Sequence, residues 1–287
     1  MPRASGAPKG RPLTKKSPTP HLIREAPIGV FDSGLGGLTV VKELMRRLPK
    51  EDVVYFGDTA RVPYGTKSRE TIIRFSQENV ARLLRYRVKM IVIACNSSSS
   101  YALDVLKPTC PRPMMGVIDP GARKAVRLTQ TKTVGVIATP ATVNSQSYPK
   151  TIKALDPSIK VIQQACPLFV SLVEEGWGQQ EVTSAVAQIY LKRMQKTPVD
   201  ALILGCTHFP LLKPVLRKVM GPRVRLVDSA QEAAEDIKRF LKDHNLLSQR
   251  RRNPRYVFLV TDELHHFRRL AKRFLRYRIE HIHKVRA

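Results

Sequence analysis

The chain reads as an α/β protein of two pseudo-symmetric domains, each a mostly parallel sheet flanked by helices, with its active site in the cleft between them. Three observations predict this. Short apolar runs alternate with helix-patterned segments along most of the 287 residues, the order that parallel sheets require. Two of those runs, Met90–Ala94 and Ala201–Gly205, end alike: each gives way to a cysteine, a small polar residue and a helix start, at Cys95-Asn96 and Cys206-Thr207. Open α/β sheets do their chemistry at strand carboxyl ends, so two matched ends in two halves point to one shared site. A thiol at a helix N-terminus also has its thiolate favoured by the dipole and the free N–H groups.

The elements follow in order. Ala26–Phe31 is the first strand, and Asp32-Ser-Gly-Leu-Gly-Gly37 is a turn whose glycines permit close backbone approach. Its glycine spacing is not that of a dinucleotide fingerprint. A helix over Leu38–Leu48 turns Val40, Val41, Leu44 and Met45 inward. Strand Val53–Phe56 leads to the polar loop Gly57-Asp-Thr-Ala-Arg-Val-Pro-Tyr-Gly65, in which Asp58 and Arg61 are either reactive groups or organisers of the loop. Helix Ser68–Tyr86 precedes the Cys95 strand.

A second unit starts near Pro120, with strand Thr133–Ala138 ending at Thr139-Pro-Ala-Thr-Val-Asn-Ser145. Strand Lys160–Gln164, helix Pro167–Glu175 and helix Gln180–Lys196 lead to the Cys206 strand, and strand Val224–Val227 closes the unit. Helix Ala230–His244, strand Tyr256–Val260 and helix Glu263–Arg276 return to the first unit, the last with Phe267, Leu270, Ala271 and Phe274 as a core face. The predicted organisation is a tail over 1–25, a discontinuous first domain over 26–119 and 229–287, and a second domain over 120–228.

Composition narrows the class. An apolar content of 43% supports a real core. The four cysteines, Cys95, Cys110, Cys166 and Cys206, form no Cys-x-x-Cys pair, so neither a disulfide framework nor a zinc site is supported; Cys110 and Cys166 read as buried. No apolar run spans a bilayer, and the N-terminus lacks a signal's apolar core, so a cytoplasmic protein without a membrane partner is expected. The formal charge of +27 stands out. Much of it lies at the ends: Arg3, Lys9, Arg11, Lys15, Lys16 and Arg24 in a proline-rich start that reads as solvated and disordered, and twelve basic residues after position 249. Neither end carries a nucleic-acid motif, so loose attraction to polyanions is expected rather than specific recognition.

Together Asp32-Ser33, the Gly57–Gly65 loop, Ala94-Cys-Asn96 and Leu204-Gly-Cys-Thr-His-Phe-Pro210 resemble glutamate racemase, from about Pro27 to Leu275 and including Val260-Thr-Asp262. The resemblance implies a cofactor-independent enzyme that interconverts L- and D-glutamate with two bases and supplies D-glutamate for peptidoglycan. It also implies a homodimer. Inverting a carbon needs a proton removed from one face and delivered to the other, a task for one thiolate and one thiol. By motif, Cys95 would deprotonate D-glutamate and Cys206 L-glutamate, with Asp32, His208 and Glu174 assisting. The substrate would be held by Asp32, Ser33, Pro63, Tyr64, Gly65, Asn96, Ser97, Thr139, Thr142, Thr207 and His208, with no metal. The alternatives are a racemase of aspartate or a related amino acid, and a basic nucleic-acid-binding protein on an inert fold of this kind.

Overall fold

A computed structural model describes residues 23–262, 264–275 and 279–286. The tail expected over 1–25 lies outside them except for its last three residues, which are half-buried. The Glu25 carboxylate accepts from Ser248 Oγ at 2.7 Å and from the Gln249 N–H at 3.1 Å.

Two parallel sheets organise the rest. The first has six strands in the order β10-β9-β2-β1-β3-β4: β1 (Ile28–Asp32), β2 (Val53–Gly57), β3 (Met90–Ile93), β4 (Met114–Gly116), β9 (Tyr256–Val260) and β10 (His281–Lys284). The second has four in the order β6-β5-β7-β8: β5 (Thr133–Ala138), β6 (Lys160–Ala165), β7 (Ala201–Gly205) and β8 (Arg225–Asp228). All pairings are parallel. In β1, β2, β3, β5 and β7 every residue is buried, as befits strands covered on both faces.

The helices are α1 (Leu38–Arg47), α2 (Arg69–Leu84), α3 (Asn96–Leu106), α4 (Ile118–Leu128), α5 (Pro140–Ser145), α6 (Ser147–Leu155), α7 (Leu168–Glu174), α8 (Glu181–Gln195), α9 (Lys213–Met220), α10 (Ser229–Asp243) and α11 (Leu264–Leu275). Helix starts follow local chemistry. Ser68 caps α2 through the Thr71 N–H, Thr139 caps α5 through Thr142, and Asp228 caps α10 through Ala230 and Gln231. The inner faces read from sequence hold, with Val40, Val41, Leu44, Phe267, Leu270, Ala271 and Phe274 all buried. Met45 is only half-buried, packed at the edge of that core.

Three elements depart from the sequence reading. β4 is three residues long and follows a proline-rich turn that hid it. β10 reads as polar because it is an edge strand on which only Ile282 is buried. Helix α4 is absent from the sequence reading; Pro120, near which the second unit is expected to begin, lies in its first turn, where a missing N–H is harmless. Ile118, Ala122 and Ala125 of that helix pack into the core of the second sheet. The largest core cluster is continuous between the sheets, joining Leu38, Val40 and Tyr55 to Phe169, Leu204 and Phe209 through α10 and α11.

Beneath the first sheet, Lys89 Nζ is fully buried against Glu51 and also donates to the carbonyls of Arg24 at 2.9 Å and Leu246 at 2.8 Å. Burial pushes Glu51 up and Lys89 down from their ordinary values, against their mutual attraction. Removing one partner strands the other in the interior. Lys89→Met is expected to lower the unfolding free energy by about 3–5 kcal/mol in urea denaturation. Breaking the exposed Arg46–Glu43 pair should cost no more than about 1 kcal/mol.

Candidate active site

The carboxyl ends of β1, β3 and β7 meet where the two sheets face each other. Cys95 follows β3 as the N-cap residue of α3, and Cys206 follows β7. They are 5% and 6% exposed and line one cavity of about 350 Å³. Ser33, Pro63, Tyr64, Gly65, Asn96, Ser97, Thr139, Glu174, Thr207 and His208 line it too. Asp32 and Thr142, both fully buried, stand behind its wall. No lysine or arginine is among the described lining residues, so an anion placed there meets hydroxyls, amides and backbone N–H groups, with His208 beside them.

The halves touch closely at this point. Thr39 Oγ1 donates to the Thr207 carbonyl at 3.0 Å. A Cβ on Gly36 would lie 2.1 Å from Thr207 Oγ1 and 2.5 Å from His208 Nδ1, so no side chain fits in that turn. Ser97 Oγ lies 2.9 Å from Thr139 Oγ1, which is in turn 3.1 Å from Thr142 Oγ1. Thr142 therefore orients the hydroxyls that reach the cavity.

Each sulfur has an acid–base neighbour. Burial, and secondarily the negative charge of Asp32, pushes the Cys95 thiol up to about 11. The helix N-terminus that the sequence reading credited with favouring a thiolate is outweighed there. Burial also raises Asp32, opposed by His208, the Gly34 and Gly37 N–H groups and Thr207; Asp32 Oδ2 accepts from the Gly34 N–H at 2.9 Å. On the other side Cys206 Sγ lies 3.8 Å from His208 Nδ1, and His208 Nε2 lies 2.9 Å from Glu174 Oε1. Burial alone would push His208 down, but Cys206 and Glu174 raise it to about 10. His208 holds Glu174 below the usual carboxylate range despite burial. The Phe274 ring packs edge-on against His208 at 5.8 Å. Glu175, the neighbour of Glu174, is exposed.

Asp58 and Arg61 prove to be organisers of their loop. Tyr64 donates its hydroxyl proton to Asp58, Asn79 Nδ2 donates to the Tyr64 hydroxyl at 3.1 Å, and Arg61 Nε donates to Asp58 at 2.6 Å. This pins Pro63-Tyr64-Gly65 at the cavity edge. Of the remaining thiols, Cys166 is buried as expected, whereas Cys110 is only half-buried.

The sequence reading missed Pro167, Val170 and Ser171, which line the cavity beside Glu174. The signal was present: positions 167, 170, 171 and 174 share one face of a helix.

Comparison with known proteins agrees with this geometry. Residues 28–237 match the Asp/Glu/Hydantoin racemase family model. A glutamate racemase of Geobacter metallireducens is 46% identical, over 90% of this chain and 96% of its own. One from Neisseria meningitidis is 48% identical over 92% and 98%. Among solved structures, a glutamate racemase of Bacillus anthracis superposes with a TM-score of 0.88 at 37% identity, over 91% of this chain and 98% of that one. The Francisella tularensis glutamate racemase in complex with D-glutamate gives 0.86 at 42% identity, with the same coverage. On this similarity, with two strand-end cysteines on one cavity, the chain belongs to the Asp/Glu/Hydantoin racemase family.

Proposed function

We propose that the protein interconverts L-glutamate and D-glutamate without a cofactor, with Cys95 and Cys206 as the two bases. The observation that carries this is the opening of both thiols onto one small cavity lined by hydroxyls and amides. In the forward direction the Cys206 thiolate takes the α-proton of L-glutamate. The electron pair left on the carbon then takes the proton of the Cys95 thiol from the opposite face. The sulfurs end with exchanged protonation, and D-glutamate reacts in the reverse sense.

The neighbours suit these roles. A Cys95 thiol held near 11 is protonated at neutral pH and ready to donate, and Asp32 beside it is the acceptor when Cys95 must be deprotonated. The His208 imidazolium exchanges a proton with Cys206, and Glu174 keeps that imidazolium charged. Ser33, Pro63, Tyr64, Gly65, Asn96, Ser97, Thr139 and Thr207 hold the substrate, backed by Thr142. We further propose that residues 26–119 and 229–287 form one domain and 120–228 the other, that the protein acts as a cytoplasmic homodimer, and that its product is D-glutamate for peptidoglycan. No helix among the described residues is long and apolar enough to cross a membrane.

Purified protein in deuterated water is expected to racemise glutamate with deuterium entering the α-carbon, and to leave aspartate largely untouched. Turnover of aspartate alone would move the reading to that substrate, and no exchange with either would end it. Cys95→Ala and Cys206→Ala should each abolish racemisation in both directions; full activity in either variant would refute the two-base assignment.

The His208–Glu174 pair gives a pH signature. The folded value near 10, raised against burial by Cys206 and then Glu174, lies above the ordinary 6.5. The stabilisation from charged His208 is therefore complete below 6.5 and is lost as pH rises through 10. That from Glu174, lowered from 4.5, is present above 4.5 and is lost as pH falls further. Glu174→Gln should therefore lower the melting temperature more at pH 7 than at pH 10.5. It should also move the His208 ring titration, followed by NMR, towards neutrality.

A further inference from the structure

Tyr148, on α6, is fully buried and does not line the cavity, yet it touches the chain beside each thiol. Its ring lies against Gly205, the residue before Cys206: a Cβ there would sit 3.1 Å from Tyr148 Cε2. Its hydroxyl accepts from Nδ2 of Asn96, the residue after Cys95, at 2.9 Å. The same hydroxyl lies 3.0 Å from Ser229 Oγ, and Ser229 Oγ donates to the Leu204 carbonyl at 3.2 Å. Because the single serine proton goes to Leu204, the tyrosine proton goes to Ser229. The hydrogen bonds thus run one way, from Asn96 through Tyr148 and Ser229 to the strand that carries Cys206.

Asn96 and Ser229 are each 3% exposed. The gap between Ala94, Asn96, Leu204, Cys206 and Ser229 has no room for a water molecule. Removal of the tyrosine hydroxyl would take from the Asn96 amide its buried partner. With one N–H held by Tyr148, Asn96 keeps its second N–H and its carbonyl oxygen for the cavity.

We propose that Tyr148 is a positioning residue for the racemase: it fixes the Asn96 amide against the substrate and ties the strand end of Cys95 to that of Cys206. This rests on the glutamate reading of the cavity. The ring alone fills core volume, which phenylalanine would do equally well; the positioning belongs to the hydroxyl.

The test is a cycle of Tyr148→Phe, Asn96→Ala and the double variant, read as KM and kcat for both glutamate enantiomers together with melting temperature. Tyr148→Phe is expected to raise both KM values about tenfold, the worth of one buried hydrogen bond, with kcat changed much less. The fall in kcat/KM must be equal for the two enantiomers, which have the same free energy. The double variant should be no worse than Asn96→Ala alone, because Tyr148 acts through Asn96. Unchanged KM with a lowered melting temperature, or effects that multiply in the double variant, would overturn the proposal. If Tyr148→Phe does not fold, Ser229→Ala keeps the ring and removes the next link. A smaller rise in KM is expected there, and no rise counts against the assignment. Slow solvent exchange of the Asn96 side-chain amide, seen by NMR in the wild type and lost in Tyr148→Phe, reads the contact without turnover. A wild type inactive on glutamate would therefore end the proposed reaction, while the exchange experiment still decides for or against Tyr148.

Discussion

The approach of Gly36 to Thr207 and His208 is the contact on which the site depends. A cavity served by one cysteine from each half exists only if the turn after β1 and the turn after β7 come together without a side chain between them. At Gly36 even a methyl group would overlap Thr207 and His208. The same contact buries Asp32 and gives its carboxylate the Gly34 N–H and the Thr207 hydroxyl as partners. Closeness of the halves and burial of the charged groups are therefore one constraint.

Burial then sets the electrostatics. Removing a carboxylate or thiolate from water disfavours the charged form, and Asp32 and Cys95 both move in that direction. His208 moves the other way because Cys206 and Glu174 bond its two ring nitrogens. The result is asymmetric: on one side a thiol beside a carboxylate, on the other a sulfur beside an imidazolium. The proposed reaction runs in both directions over two faces, and this asymmetry is what its donor and acceptor roles would draw on.

Much of this was legible in the sequence because strand-end chemistry is local. The run of buried residues before Cys95 and Cys206, the glycines after Asp32 and the helix after each cysteine are set by neighbours in the chain. Edge elements were not legible: β10 carries one inward residue, and β4 has three residues beside prolines. The state of Cys95 was not legible either, since a helix N-terminus is visible in sequence but the burial that outweighs it is tertiary. The contact of Tyr148 with Asn96 spans 52 positions, and nothing near either residue announces it. Asp58 and Arg61 left two readings open because the bonds that settle them, Tyr64 to Asp58 and Arg61 to Asp58, depend on how the loop folds.

The excess of positive charge belongs to a different level of the molecule. The sequence carries a net +27, yet the described cavity lining has no lysine or arginine. A positive field favours the approach of an anionic ligand, but at physiological salt it fades over about 8 Å. Inside, the lining offers hydroxyls and amides fixed by hydrogen bonds, together with His208, whose charge is already paired with Glu174. A surface that attracts and an interior that orients are compatible because screening separates the field of the surface from the fixed dipoles and the internally paired charges of the cavity.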